Sequence, residues 1–253
     1  MILAIDIGNT TTHFGVFDKK KLASQFSIAT QPGRTADEIT LQLKALAQTR
    51  RLHLARASRI IICSVVPRMT ALLTEALKSL DAIPIQVVGQ DLIVPLKNRY
   101  AYPEQVGQDR LVGAFAAWRA YKTACIVADF GTAITIDVVT KAGEYLGGVI
   151  APGLDISLEA LATRTALLPK VELKEPPELL GRDTANSIRS GLLHGCVALC
   201  DGLVTQLKRQ YVPKATVVAT GGSSPLIAKY ARTIDHLKPQ LVLEGLLQLE
   251  SSR

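Results

Sequence analysis

The sequence predicts an α/β protein in which one unit is built twice, with a cleft between the halves. Two matched stretches and a repeated order of elements carry that prediction. The apolar run Cys125 to Ala128 enters Asp129-Phe130-Gly131-Thr132-Ala133-Ile134-Thr135, and the largely apolar run Ile134 to Val139 leaves it, the pattern of strand, tight turn and strand. A near copy, Asp6-Ile7-Gly8-Asn9-Thr10-Thr11-Thr12, is fed by Ile2 to Ile5 and followed by the strand-like His13 to Phe17. The copies stand about 123 residues apart, too long a period for a solenoid and suited to a duplicated domain. Ligand sites favour the interface such a duplication creates.

Residues 1–30 read as three strands, with Lys19 to Lys21 as a turn and Leu22 to Ala29 as the third strand. Thr35-Ala36-Asp37-Glu38 is a capping-box pattern, and Ile39, Leu43, Leu46 and Ala47 repeat at helical spacing to about Arg51. Arg59 to Val66 reads as a buried strand, Pro67 to Leu80 as a helix with Met69, Leu72, Leu73, Ala76 and Leu77 on its apolar side, and Ile83 to Val88 as another strand. Asp91 to Gly107 is polar and contains prolines, so it connects an N-terminal half, residues 1–105, to a C-terminal half, residues 106–253. A helix runs from about Val106 to Tyr121.

The order then restarts. Ala124 to Ala128, Ala133 to Val139 and Gly143 to Ile150 are three strands, Leu154 to Ala166 is helical, and Pro169 to Leu180 is a Pro- and Glu-rich loop. Ser187 to Gln210 is a long amphipathic helix, Thr216 to Ala219 a strand, Leu226 to Ala231 a short helix and Leu241 to Leu243 a final strand.

At 253 residues and 48% hydrophobic content the chain has the means to bury a sizeable core. It lacks a run of about 18 apolar residues, and Asp6 interrupts the apolar N-terminus, so neither a membrane span nor a signal peptide is expected and the chain reads as cytoplasmic. Cys63, Cys125, Cys196 and Cys200 form no Cys-x-x-Cys pair; Cys63 and Cys125 read as small reduced core residues. Zinc is not expected at the cysteines or at His13, His53, His194 and His236, which lack ligand spacing; His194, near Cys196 and Cys200, retains only a small chance of a metal contact. The net charge of +7 attracts anions: a nucleotide, an acidic metabolite or a nucleic acid. The basic residues, among them Lys19 to Lys21, Arg50 with Arg51 and Lys208 with Arg209, are spread out without interleaved aromatics, so they read as solvated surface and not as a nucleic-acid tract.

Each hairpin carries a carboxylate, a glycine and hydroxyls, which is what a phosphate and its metal need: close backbone N–H groups, hydroxyl donors and a charge to hold a cation. Asp-x-Gly also caps plain hairpins. Two matched copies with threonines at equivalent places are harder to obtain that way. Asp129-Phe130-Gly131 spells the metal-binding triplet of protein kinases too, but without a His-Arg-Asp loop or a Gly-rich loop with a following strand lysine that likeness carries nothing.

Thr220-Gly221-Gly222-Ser223-Ser224-Pro225 follows a strand and opens a helix. Gly221 and Gly222 let the backbone lie flat against a planar or anionic ligand, although a plain strand-to-helix turn has the same composition. Gly107-Gln108-Asp109-Arg110 opens another helix. Asp109 either serves that helix N-terminus alone or, with Arg110 beside it, is a base for a hydroxyl proton next to a cation that holds an anionic substrate. Tyr100 and Thr184 add hydrogen-bonding groups, or are an ordinary loop tyrosine and a helix-cap threonine.

These residues resemble a known family. The two hairpins and the late Thr-Gly-Gly are similar to the superfamily of acetate and sugar kinases, heat-shock chaperone ATPases and actin, and essentially all 253 residues resemble type III pantothenate kinases within it. Asp6-Ile7-Gly8-Asn9-Thr10, Ser64-Val65-Val66-Pro67, Tyr100 with Pro103 and Gly107-Gln108-Asp109-Arg110, the Asp129 stretch, Gly147-Gly148-Val149-Ile150-Ala151-Pro152-Gly153 and Leu243-Glu244-Gly245-Leu246 follow the family's order. Gln108 stands where alanine is usual and Tyr102 where a small polar residue precedes Pro103; both bear on the shape of the pantothenate pocket.

The resemblance implies two actin-like, ribonuclease H-like domains, each a mixed five-stranded sheet with helices, around a cleft. It implies that Asp6, Ile7, Gly8, Asn9, Thr10, Thr11, Thr12, His13 and Thr132 contact ATP, with Gly221 and Gly222 at the adenosine. Tyr100, Gly107, Gln108, Asp109, Arg110 and Thr184 would bind pantothenate, Asp109 as the base. Asp129 would hold a monovalent cation, K+ or NH4+, beside the Mg2+ that accompanies ATP, and the enzyme would be a homodimer without nucleic-acid or membrane partners. The implied activity is phosphorylation of pantothenate to 4′-phosphopantothenate, the first step of coenzyme A biosynthesis. Its rival is a regulatory or transcription-accessory protein of the same fold that binds nucleotide without turnover; an intact Asp109 favours the kinase.

Overall fold

The computed structural model describes residues 1–52, 56–80 and 82–250, so His53 lies outside the described residues. The chain divides into unit 1, made of Met1–Pro95, Glu104–Ala116 and Val242–Arg253, and unit 2, made of Leu96–Pro103 and Ala117–Leu241.

In unit 1 the N-terminal residues form β1 (Ile2–Ile7), β2 (Thr11–Asp18) and β3 (Lys21–Ala29), followed by α1 (Ala36–Thr49), β4 (Arg59–Ser64), α2 (Pro67–Leu80) and β5 (Ile85–Val87). The sheet order is β3-β2-β1-β4-β5, antiparallel between the first three strands and parallel from β1 through β4 to β5. Central β1 and β4 each bury four of their six residues and are largely apolar, whereas edge strand β3 buries only Phe26 and Ile28 in alternation. Lys19 (φ 44°) and Lys20 (φ 68°) make the β2–β3 turn in left-handed conformations, which match the twist of a tight hairpin although lysine adopts them at a cost. The capping box forms: the Thr35 N–H donates to Glu38 Oε2 at 2.8 Å and the Glu38 N–H to Thr35 Oγ1 at 3.3 Å. Ile39 and Leu43 of α1 and Met69, Leu73, Ala76 and Leu77 of α2 share one core with the sheet.

In unit 2, β6 (Lys97–Asn98) precedes β7 (Cys125–Phe130), β8 (Ala133–Val139) and β9 (Glu144–Pro152); α4 (Leu154–Arg164), α5 (Thr184–Gln210), β10 (Thr216–Thr220), α6 (Ser224–Ile227) and β11 (His236–Leu237) follow. Its order is β11-β10-β7-β8-β9-β6, so β9-β8-β7-β10-β11 repeats the arrangement β3-β2-β1-β4-β5 strand for strand and direction for direction. The duplication is real, but the second sheet has six strands where five were expected. The addition is β6, which pairs parallel with Glu144–Tyr145 inside a segment that reads from composition only as a connection. Leu193, Cys196, Cys200 and Val204 of α5 pack on the apolar face of this sheet.

The last expected strand is a correction. Leu241–Leu243 opens a helix, α7 (Leu241–Glu250), and the fifth strand of the repeat is β11. A three-residue apolar run does not distinguish a strand from a buried helical turn. Packing makes the difference here: a Cβ on Gly245 would stand 2.7 Å from Val112 Cγ1 and 2.9 Å from the Val112 carbonyl in helix α3 (Gln108–Tyr121), so the missing side chain lets the two helices approach closely. All four cysteines are buried and free, and burial pushes the Cys125 and Cys200 thiols up to about 12. Among the described residues no helix is long and apolar enough to cross a membrane.

Candidate functional site

The first hairpin ends its ladder at the pair Ile7 and Thr12, leaving Gly8, Asn9 and Thr10 as the turn. The Gly8 N–H donates to the Thr11 carbonyl at 3.1 Å, and a Cβ on Gly8 would stand 3.1 Å from that same oxygen. Thr30, at the end of β3, clasps the turn. Its N–H donates to the Thr10 carbonyl at 2.9 Å, its hydroxyl donates to the Gly8 carbonyl at 2.8 Å, and the hydroxyls of Thr30 and buried Thr12 lie 2.9 Å apart. The Gly8 N–H and the Thr12 hydroxyl are therefore engaged within the fold, while Asn9 and Thr10 stand exposed at the tip. His13, opposite Asp6, is at an exposed position of β2, and what desolvation it has lowers its pKa.

Asp109 lies in the first turn of α3, whose positive end favours a carboxylate. Asp109 Oδ1 accepts the Arg110 N–H at 2.8 Å, and it sits so closely over Gly107 that any Cβ there would collide with it; Val65 Cγ1 would be 3.3 Å away. Cys63 pairs with Asp6 in register, and its thiol is pushed well up by burial first, then by the charges of Asp6 and Asp109. Asp6 and Asp109, about a hundred residues apart in the chain, thus both act electrostatically on one buried sulfur. The Gln108 amide is seated on Gly89 (φ +87°), whose Cβ would stand 2.9 Å from Gln108 Cδ. That seat accounts for a residue larger than alanine at position 108.

In unit 2 the second hairpin turns on Gly131 and Thr132, with the Gly131 N–H donating to the Ala133 carbonyl at 3.2 Å. Two glycines press on it. The Gly153 N–H donates to the Thr132 carbonyl at 3.1 Å, and a Cβ on Gly153 would collide with the Gly131 and Thr132 carbonyls. Gly221 (φ +90°) lies against Asp129 Oδ1 and would place a Cβ 2.7 Å from Phe130 N. The Ser223 N–H then donates to the Phe130 carbonyl at 3.1 Å, and Ser224 Oγ to the Gly221 carbonyl at 2.7 Å. Asp129, Thr132, Gly153 and Thr220 to Gly222 are one cluster, in which a Cβ on Gly222 would face open space. Gly153 was legible only as part of a motif; its role as the support of this turn was not.

Tyr100 follows β6, half-buried, with its ring against Gly147. Thr184 is the exposed first residue of α5, and Asp183, not Thr184, caps that helix by accepting the Asn186 N–H at 2.8 Å. That bond is the first cause holding the Asp183 carboxyl below its usual range. Among the described residues no three His, Cys, Asp or Glu side chains cluster as a metal site. The donors at the two turns are single carboxylates, hydroxyls and backbone groups, oxygen-rich sets that suit a cation arriving with its own phosphate ligands.

The family model for type III pantothenate kinase matches residues 2–206. Type III pantothenate kinases from Rubrobacter xylanophilus and Desulfosudis oleivorans are 41% and 42% identical to this chain, over 97% and 100% of it and 96% and 99% of their own lengths. Among solved structures, an inorganic polyphosphate/ATP-glucomannokinase from an Arthrobacter species (TM-score 0.52, 15% identity, 100% of this chain and 99% of that one) and a protein described as a Baf-family transcriptional activator from Campylobacter jejuni (TM-score 0.59, 18% identity, 98% and 97%) share the fold. A family match over most of the chain, joined to relatives alike from end to end, leads to one conclusion: this chain belongs to the type III pantothenate kinase family.

Proposed function

We propose that the protein transfers the γ-phosphoryl group of ATP to the primary hydroxyl of pantothenate, giving 4′-phosphopantothenate and ADP, the first step of coenzyme A biosynthesis. The observation that carries this reading is the end-to-end similarity to type III pantothenate kinases. The reading of Asp109 as the base is supported by its place in the first turn of α3, where the helix N-terminus favours a carboxylate.

In this mechanism the hydroxyl oxygen forms the new bond to phosphorus, the bond from the γ-phosphorus to its bridging oxygen breaks, and ADP leaves with that electron pair. The hydroxyl proton passes to the Asp109 carboxylate. In unit 1, Asp6 to His13 receive ATP, Gly107 and Gln108 shape the acceptor subsite, and Arg110 holds the pantothenate carboxylate. In unit 2, Thr132, Gly221 and Gly222 serve the nucleotide, and Tyr100 and Thr184 serve the acceptor. Asp6 suits Mg2+ and Asp129 suits K+ or NH4+, cations whose charge, when bound, offsets that of the phosphoryl oxygens.

The same reading makes the protein a cytoplasmic homodimer. Unit 2 leaves Ile150, Leu167, Leu179 and Leu180 at 64%, 91%, 69% and 70% exposure, large apolar side chains that an assembly would cover.

The test is ADP release that depends on pantothenate, in K+ and then with Na+ or Tris as the only monovalent cation, beside light scattering for mass. Pantothenate-dependent turnover supports the kinase; calorimetric ATP binding without turnover makes the chain a nucleotide-binding regulator instead. Full activity without K+ or NH4+ removes the cation from Asp129, and a monomeric mass removes the dimer.

A further inference from the structure

Unit 2 carries one strand more than the repeat requires, and the residues around that strand jointly place the ring of Tyr100. The Lys97 N–H donates to the Gly143 carbonyl at 2.9 Å and the Arg99 N–H to the Tyr145 carbonyl at 2.8 Å, extending the β6–β9 ladder to the residue before Tyr100. Glu144 Oε1 fastens the pair of strands: it accepts from Arg99 Nη2 at 2.6 Å and Nε at 3.0 Å, with Lys97 Nζ at 3.4 Å. Asn98 turns the chain back, its Oδ1 accepting the Tyr100 N–H at 3.0 Å and its Nδ2 donating to the Pro103 carbonyl at 3.3 Å.

The ring arrives where β9 is bulged. Val138 faces Gly147 and Val139 faces Tyr145, so Leu146 is the extra residue, and Gly147 takes φ +114°. A Cβ on Gly147 would stand 3.1 Å from both Tyr100 Cδ2 and Cε2, closer than a side chain tolerates without moving the ring. Behind the bulge the Tyr145 hydroxyl donates to Asp137 Oδ1 at 2.6 Å, a buried phenol and carboxylate that lock β8 to β9. A bulge, a left-handed glycine and a doubly bonded carboxylate are more than an edge strand needs for its own closure. Bulges of this kind re-aim side chains.

We propose that β6 and the Gly147 bulge form a positioning device that fixes the Tyr100 ring as a wall of the acceptor subsite, so that Gly147 and Glu144 set the KM for the phosphoryl acceptor without touching it. This rests on the reading of Tyr100 as a pantothenate contact. A tyrosine held by backbone alone on one side offers a rigid, amphipathic face to a branched hydroxy acid, with few torsions left to lose on binding.

The test uses the full chain and four variants: Gly147→Ala, Glu144→Gln, Tyr100→Ala and the double variant Gly147→Ala with Tyr100→Ala. Gly147→Ala is expected to raise the pantothenate KM roughly tenfold, since a displacement well under 1 Å already degrades placement, with the ATP KM within about twofold. Glu144→Gln gives a smaller rise of about threefold in the same direction. In the Tyr100→Ala background the Gly147→Ala change adds nothing further, which a merely structural role for Gly147 would not produce. Should Gly147→Ala prove too unstable to purify, the half-buried Glu144→Gln runs the same cycle with Tyr100→Ala. An unchanged pantothenate KM in both single variants, or the same rise whether or not the Tyr100 ring is present, overturns the device. A wild-type pantothenate KM in Tyr100→Ala alone removes Tyr100 from the subsite, and the device falls with the reading beneath it.

Discussion

The two Asp-x-Gly hairpins occupy the same place in their sheets and are closed by different means. Asp6 pairs with His13 on one side and Cys63 on the other, Asp129 with Thr135 and Thr220. In each unit a backbone N–H beyond the fourth strand reaches the carbonyl behind the aspartate, Val65 to Ile7 and Ser223 to Phe130, both at 3.1 Å. The first turn, Gly8 to Thr10, is one residue longer than the second, Gly131 and Thr132. The longer turn is clasped by the Thr30 hydroxyl; the shorter is wedged between Gly153 and Gly221, where no Cβ fits. A hydroxyl clasp fails one hydrogen bond at a time, but close backbone packing fails at the first methyl group.

The largest expected effect separates the hairpins by chemistry, because the charges of both Asp6 in the first hairpin and Asp109 in α3 act on Cys63. Asp109→Asn is expected to lower kcat by about 10² to 10⁴, or roughly 3–5 kcal/mol of barrier, with calorimetric ATP affinity within a few-fold. If Asp109 serves only the N-terminus of α3, the variant loses at most about 1 kcal/mol of stability and turns over normally.

Next in size is the wedge. Gly221→Val forces a side chain into Phe130 and Asp129 and a β-branched residue into φ +90°, which costs about 1–3 kcal/mol for overpacking and about 1–2 more for the backbone. Urea unfolding should show that loss. Gly222→Val, facing open space, should keep stability within about 0.5 kcal/mol while raising the ATP KM alone. Equal unfolding midpoints for the two variants would erase the distinction between the glycines.

The clasp is weaker. Thr30→Val removes the hydroxyl from Gly8 and Thr12 and should cost about 1–2 kcal/mol, read as a modest fall in melting temperature. A loss as large as that of Gly221→Val would contradict the contrast between clasp and wedge.

The smallest effect is a pH dependence the first hairpin has and the second lacks, since Thr135 stands where His13 does. Desolvation puts the folded His13 pKa below 6.5, so the unfolded chain takes up the proton first and stability falls as pH drops below about 6.5 towards the folded value. His13→Gln should flatten that slope in urea melts at about pH 7.5 and about pH 5.5; an unchanged slope assigns it to other groups.

Much of this was legible in the chain. The capping box at Thr35 and Glu38, the runs of β1 and β7 and the doubled Asp-x-Gly turns are patterns contained within a few residues, where local sterics and burial period act directly. Thr184 shows a limit of the same kind: one reading made Thr184 itself the helix cap, and the adjacent Asp183 took the position instead. The site was legible as a set of residue types and not as an arrangement. That Gly221 packs on Asp129, and that Gly153 supports Thr132, are contacts between segments far apart in sequence.

By itself the sequence determined the α/β class, the duplication and the two turns, because an apolar run of one period and a glycine after an aspartate constrain the backbone wherever the segment lands. Only the tertiary structure decided that Leu241–Leu243 is helical, that Lys97–Asn98 is a sixth strand, and that Asp6 and Asp109 both act on the buried Cys63 thiol. Each of those outcomes turns on a partner about fifty to over a hundred residues away: Val112 beneath Gly245, Glu144 beside Lys97, and Cys63 in register with Asp6. Short segments that are ambiguous in period take whichever conformation their neighbours allow them to bury or pair, and that choice is made by packing.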